Sequence, residues 1–300
     1  MSGTAPTKYV TQLAMLSCLT SATVWGLIWY PFRLLNEWGV TGTWSSLLTY
    51  VISFLVAILI LKVDQPIDKK YQQMTAINLA IALFSGLTNI GFVWATVNGE
   101  IMRVILLFYL MPVWTLFFAW FIVGEVPQRK DIFYSLLSLS GALLMLWKNN
   151  VGIPTPQSAA EWVGLGAGIS FAISNTLSRR AADMPAQIKA RWVLGGCAVV
   201  GLLIIPFEPN AFTFHEESAL KIVVMLCTLG IVMAVSAQVV QFGLSHLASN
   251  TVAVLFLFEI VVAGVSAWLL AGEALNEREL CGATMIVLSS LMASVRYNKS

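Results

Sequence analysis

The chain has 300 residues, of which 58% are hydrophobic and only 11% charged, with a mean hydropathy of +0.81 and a net charge of +2. Ordinary soluble domains carry about 25% charged residues and must clothe their exterior in polar groups. That composition excludes a cytosolic globular enzyme, a secreted disulfide scaffold and a disordered chain, and the near-neutral charge leaves no basic patch for nucleic acid.

A helix needs about 20 apolar residues to cross the hydrocarbon core. Ten such stretches are predicted, at roughly 10–31, 44–61, 74–97, 102–123, 131–147, 161–178, 190–206, 219–245, 250–271 and 279–296. The predicted fold class is therefore an all-α integral membrane protein with ten transmembrane helices. The runs do not alternate as barrel strands would, and the loops leave no room for an extramembrane domain. The first stretch follows a single Lys8, exceeds 20 residues and ends without a small-x-small site. It reads as a membrane helix rather than a cleaved leader. With ten spans both termini share one side. That side collects 12 of the 17 Lys and Arg residues, which puts both termini in the cytoplasm.

The first span carries Ser21, Trp25 and Trp29 at four-residue spacing. Trp25 is a candidate for an aromatic cavity surface, or for ordinary packing. In the third span Ser85, Thr88, Asn89, Phe92 and Thr96 fall within about 100° of one another on a helix. In the eighth span Gln238, Gln241 and Ser245 share a face. A polar stripe on a membrane helix points into protein or water. Each stripe is read as a cavity wall or as hydrogen-bonding glue between helices. In the fourth span Tyr109 stands three residues before Pro112, which frees a backbone carbonyl and marks a hinge or a kink. Glycines 164, 166 and 168 in span six, and 195, 196 and 201 in span seven, are expected to let helices approach closely. The deeper tryptophans are Trp25, Trp94, Trp114, Trp120 and Trp268. Trp38, Trp44, Trp147, Trp162 and Trp192 fall at span ends, as an interfacial belt would.

Glu259 lies about eight residues into the ninth span, and no other acidic residue lies as deep. A charge there costs about 2.5–3.5 kcal/mol on insertion scales. It is read either as a protonatable or amine-binding carboxylate facing a cavity, or as a neutral group tying spans together. A proton-linked role is an expectation resting on this residue.

Shifting the chain against itself by 148 positions sets Val104, Leu107, Phe108, Ala119, Trp120, Gly124 and Glu125 on Val252, Leu255, Phe256, Ala267, Trp268, Gly272 and Glu273. A shift of 146 aligns span one with span six and sets Arg33 on Arg179. The predicted units are 1–150 and 151–300. Five spans per unit is an odd number, so the two repeats must be inverted, as in many secondary transporters. Gly124, Glu125, Gly272 and Glu273 then form a structural motif at opposite membrane faces. Gly ends the helix, and the acids are expected to pair with nearby bases such as Arg129 and Arg278.

With ten spans, two five-span halves and Gly-Glu closing spans four and nine, the chain resembles the drug/metabolite transporter superfamily, EamA type. Tyr109-Leu110-x-Pro112-x-x-Thr115 is similar to the span-four motif of the YddG aromatic amino-acid exporters, which more often have Asn and Trp where Phe108 and Met111 stand. Family members often show Glu-Pro in span nine, where this chain has Glu259-Ile260. The resemblance implies a bacterial inner-membrane secondary transporter that exports amino acids, aromatic or other neutral, through a central cavity by alternating access. An exporter of other metabolites or drugs is the alternative, and a receptor or scaffold a more distant one.

No phosphate-binding loop of the Gly-x-x-x-x-Gly-Lys-Ser/Thr type occurs, so gradients must supply the energy. The four cysteines and two histidines show no metal, redox or catalytic spacing. No enzyme activity and no cofactor are expected. The expected partners are the lipid bilayer and a small-molecule substrate, with no nucleic acid.

Overall fold

The computed structural model describes residues 8–59, 75–147, 155–207, 218–271 and 276–297. Among these residues every regular element is helical: α1 (Lys8–Leu27), α2 (Trp29–Glu37), α3 (Gly42–Leu59), α4 (Thr75–Asn98), α5 (Ile101–Phe108), α6 (Met111–Phe118), a π turn (Ala119–Val123), α7 (Arg129–Leu146), α8 (Ala159–Arg180), α9 (Ala186–Ile204) with a 3-10 turn after it (Ile205–Phe207), α10 (Ala219–His246), α11 (Ser249–Phe256), α12 (Phe258–Ala271) and α13 (Glu277–Tyr297). They form ten rods, because α1–α2, α5–α6–π and α11–α12 each continue across a short break.

Seven rods are long and apolar enough to cross a membrane. The polarity of α7, α8 and α13 has visible causes. Charges cluster at the start of α7 (Arg129, Lys130, Asp131) and of α13 (Glu277, Arg278, Glu279). α8 carries Glu161, Arg179 and Arg180 at its ends and buries four hydroxyl side chains, Ser170, Ser174, Thr176 and Ser178. A helix enclosed by other helices need not offer lipid an apolar face. The outward surface is the reverse: Leu16, Leu59, Leu83, Phe117, Phe121, Leu203, Leu220 and Leu269 are all at least half exposed. So much exposed apolar surface suits hydrocarbon rather than water. Trp120 and Trp268 are more than half exposed, as side chains facing lipid would be.

The packing has an approximate two-fold pattern. α4 packs on α8, and the equivalent α10 packs on α1. α3 packs on α10 as α9 packs on α4, and α1 meets α11 and α12 as α8 meets α5 and α6. The pairs that map onto themselves, α3 with α9 and α7 with α13, also touch. The strongest contacts thus run between the two halves, which interleave rather than sit side by side. Small residues make this possible. A Cβ on Gly196 of α9 would come within 2.0 Å of the Ala82 carbonyl oxygen in α4, and one on Gly141 within 2.6 Å of the Gly282 carbonyl. Gly166, by contrast, faces open space.

The fourth rod breaks at Tyr109-Leu110. Pro112 sits in the first turn of α6, where its missing N–H costs nothing. It leaves the Phe108 carbonyl without a helical donor, and Gly168 of α8 lets the helices close on that carbonyl. The ninth rod breaks at the equivalent place, Leu257, with no proline; there Leu257 N–H donates to Val254 and Ile260 N–H to Leu257 in three-residue steps.

Candidate functional site

The interleaved halves leave a cavity of about 90 Å³ on the pseudo-two-fold. It is lined from α1 (Ser21, Trp25), α3 (Tyr50), α4 (Ser85, Thr88, Asn89), α8 (Phe171, Ser174, Asn175), α9 (Val193, Leu194), α10 (including Ser236 and Gln241) and α11 (Phe256). Several wall positions are repeat equivalents. Trp25 and Phe171 stand 146 positions apart, and Thr88 and Ser236 stand 148 apart.

Hydrogen bonds lock much of this wall. Tyr50 Oη donates to Asn89 Oδ1 at 2.7 Å, and Asn89 Nδ2 donates to the Ser85 carbonyl at 2.8 Å and reaches Cys197 Sγ at 3.4 Å. The Ser85 and Ser174 hydroxyls pair at 2.6 Å, and those of Ser21 and Ser236 at 2.8 Å. Two wall atoms are buried without a partner: Gln241 Oε1 and Asn175 Nδ2. Gln241 is only 3% exposed. A buried amide oxygen without a donor costs about 1–3 kcal/mol, and both of these side chains belong to residues of the cavity wall.

Of the sequence candidates, Trp25, Ser85, Thr88, Asn89 and Gln241 meet at this cavity. Gln238, Tyr109 and Glu259 do not line it. Gln238 Oε1 is buried and unpartnered elsewhere on α10. Glu259, partly buried at the start of α12, lies against the Tyr109 side chain. The two come from the equivalent breaks of the fourth and ninth rods. An aromatic layer links that pair to the cavity: Phe108 contacts Tyr109 and Phe171, and Phe171 contacts Phe256, with ring centroids 5.3–6.0 Å apart. Tyr50, Ser174, Asn175 and Ser236 were not singled out from the sequence.

Polar clasps hold two places along α8. At its start Arg103 of α5 makes a two-pronged pair with Glu161, Nε to Oε1 at 3.0 Å and Nη2 to Oε2 at 3.1 Å, both side chains almost fully buried. At its end Arg179 Nε donates to Glu125 Oε1 at 3.1 Å. Arg179 also donates to the Ser245 carbonyl of α10, while Glu125 Oε2 accepts from the Ser249 N–H at 2.9 Å. Glu125 therefore pairs with Arg179, 54 residues away, and not with the neighbouring Arg129. Arg278 donates to the Trp147 carbonyl. Gly124 has φ +80°, the left-handed conformation that ends a helix, and serves as the predicted terminator. Gly272 and Glu273 lie outside the described residues.

Interleaved helical halves, an apolar exterior and a central cavity bearing hydroxyl and amide groups on a largely apolar wall suit a membrane transporter. The match to the EamA-like transporter family model covers residues 12–147 and 158–295, once for each half. The chain belongs to the EamA-like transporter family, within the drug/metabolite transporter superfamily. It is similar to a solved structure titled "Crystal structure of protein", at 18% identity and a TM-score of 0.73, over 95% of this chain and 98% of that one. That likeness concerns the fold. A search of curated proteins returns no match.

Proposed function

We propose that this chain is a secondary transporter that exports small neutral amino acids or closely similar metabolites across the bacterial inner membrane by alternating access. In this reading all ten rods span the bilayer, 1–150 and 151–300 form inverted repeats, and both termini are cytoplasmic. The observation that carries it is the cavity on the pseudo-two-fold, with Gln241 Oε1 and Asn175 Nδ2 unsatisfied on its wall. Inverted-repeat transporters bind substrate at this meeting of the halves. Pockets for drug-sized ligands measure roughly 300–1,000 Å³, so a cavity of about 90 Å³ favours a small solute over a flat drug.

The Arg179–Glu125–Ser249 clasp, with Arg179 also on Ser245, joins the fourth, sixth, eighth and ninth rods beyond one end of the cavity. It is the closed gate of this conformation, on the cytoplasmic side. Opening it releases these partners to water, where exposed ion pairs are worth little, so both states can be populated. Coupling to protons would act through Glu259, one aromatic layer away from the substrate.

The test is counterflow in proteoliposomes against a panel of labelled amino acids. Trans-stimulated uptake of one or more unmodified solutes is expected. Absence of exchange for every amino acid and related metabolite, in a preparation shown to be folded, would overturn the proposal.

A further inference from the structure

The cavity wall draws on both apolar cores of the bundle, and the two contribute different chemistry. Tyr50, Leu194 and Met233 belong to one core. On that side Tyr50 Oη donates to Asn89 Oδ1, Asn89 Nδ2 donates to the Ser85 carbonyl, and the Ser85 hydroxyl pairs with that of Ser174. Leu244 and Phe256 belong to the other core, with Phe171 and Val240 packed against it. These four side chains are hydrocarbon throughout.

Phe171 is the central ring of the second side, and it is held from behind. It stands edge-on to Phe256, centroids 5.3 Å apart and planes at 90°, and to Phe108 at 6.0 Å and 70°. Phe108 rests in turn on Phe92 at 4.5 Å and on Tyr109 at 5.3 Å. Phe108 and Phe256 are themselves buried, and each is the last helical residue before the break of its rod. The backbone that carries Phe171 is fixed as well. Three residues earlier, a Cβ on Gly168 would lie 2.6 Å from the Phe108 carbonyl oxygen, so α8 is already in backbone contact with α5. Neither the ring nor its helix has room to retreat from a solute that presses on it. The repeat equivalent of Phe171 is Trp25, which packs against the other core. The two sides of the cavity are therefore not interchangeable.

We infer that Phe171 sets the size limit of the transported solute, as the wall against which its apolar side chain stops. This rests on the transport reading above and narrows its substrate class. Solutes with short aliphatic side chains fit, with that side chain toward Phe171, Val240, Leu244 and Phe256. Solutes with bulky bicyclic side chains do not, because the space they need is filled by the Phe171 ring and the rings that back it.

The experiment is competition against labelled leucine counterflow by unlabelled leucine and unlabelled tryptophan, on the parent protein and on Phe171→Ala, Phe171→Leu and Phe171→Tyr. In the parent, tryptophan is expected to be weaker than leucine by about tenfold or more, the lower end of what an apolar pocket discriminates for one methylene group. Phe171→Ala vacates the ring's volume and should bring tryptophan within about threefold of leucine. Phe171→Leu should fall between, and Phe171→Tyr, which keeps the ring, should keep the parent's order. A ring that served packing alone would lower exchange of both solutes together and leave their ratio unmoved. If tryptophan competes as well as leucine in the parent, or exchanges in its place, or if the ratio is unmoved in a folded Phe171→Ala protein, the size limit is wrong while export stands. If no amino acid exchanges at all, the transport reading falls and takes this inference with it. Should Phe171→Ala fail to fold, the same ratio in Phe171→Leu decides.

Discussion

Replacing Gly196 by Ala adds one methyl group where there is no room for it. The new Cβ would lie 2.0 Å from the Ala82 carbonyl oxygen, 2.4 Å from its carbon and 2.6 Å from its Cα. Ordinary contact begins at 3.4 Å, so α9 and α4 must part by more than 1 Å, and every obstructing atom is backbone. Overpacking of this kind costs about 1–3 kcal/mol, and the upper end applies because no side chain can swing aside. At about 2–4 °C per kcal/mol for large chains, the apparent Tm in detergent should fall by about 6–12 °C. The same parting would break the contact of Asn89 with Cys197, next to Gly196, so exchange activity should fall too. Gly166→Ala is the matched control, since its Cβ meets nothing within 4 Å. There the gain in helix propensity, about 0.5–1 kcal/mol, should leave Tm equal or raise it slightly. A Gly196→Ala protein that melts with or above its parent would refute the close backbone packing of these helices.

Gln241→Leu removes the stranded acceptor, so it should preserve or raise Tm while reducing exchange at least about tenfold; a drop in Tm with unchanged exchange would show that the amide serves packing alone. Glu259→Gln should flatten the pH dependence of exchange without abolishing substrate binding, because the residue stands behind Phe108 and Phe256 rather than in the cavity wall. An unchanged pH profile would remove Glu259 from the coupling scheme.

The rods were legible because lipid demands long apolar runs, and each predicted stretch finds a helix. The repeat was legible through Ala-Trp-x-x-x-Gly-Glu. The break beside Pro112 has a local chemical cause and was visible; that at Leu257 has none, and only its position 148 residues after Tyr109 announces it. Asn89 and Gln241 stood out because large amides are conspicuous in an apolar run. Ser174 and Asn175 were masked by the glycines of the same helix, and Tyr50 by an otherwise apolar span. Glu125 was assigned a neighbour in sequence, yet its partner is Arg179, the residue that the 146-position shift had already set on Arg33. Charge pairing between distant helices depends on how the halves interleave, which no local window contains.

The π turn at Ala119–Val123 has a consequence for what this chain can tolerate. Its wider coil holds one residue more than an α-turn would, and one residue is about 100° of rotation. Glu125, just past that turn, meets Arg179 at 3.1 Å. The equivalent stretch of the second half, up to Ala271, is plain α-helix. Deletion of any one residue in 119–123 would turn the carboxylate by about 100° about the rod axis, away from Arg179. The length of this stretch, more than its composition, is what evolution or an engineer must leave alone.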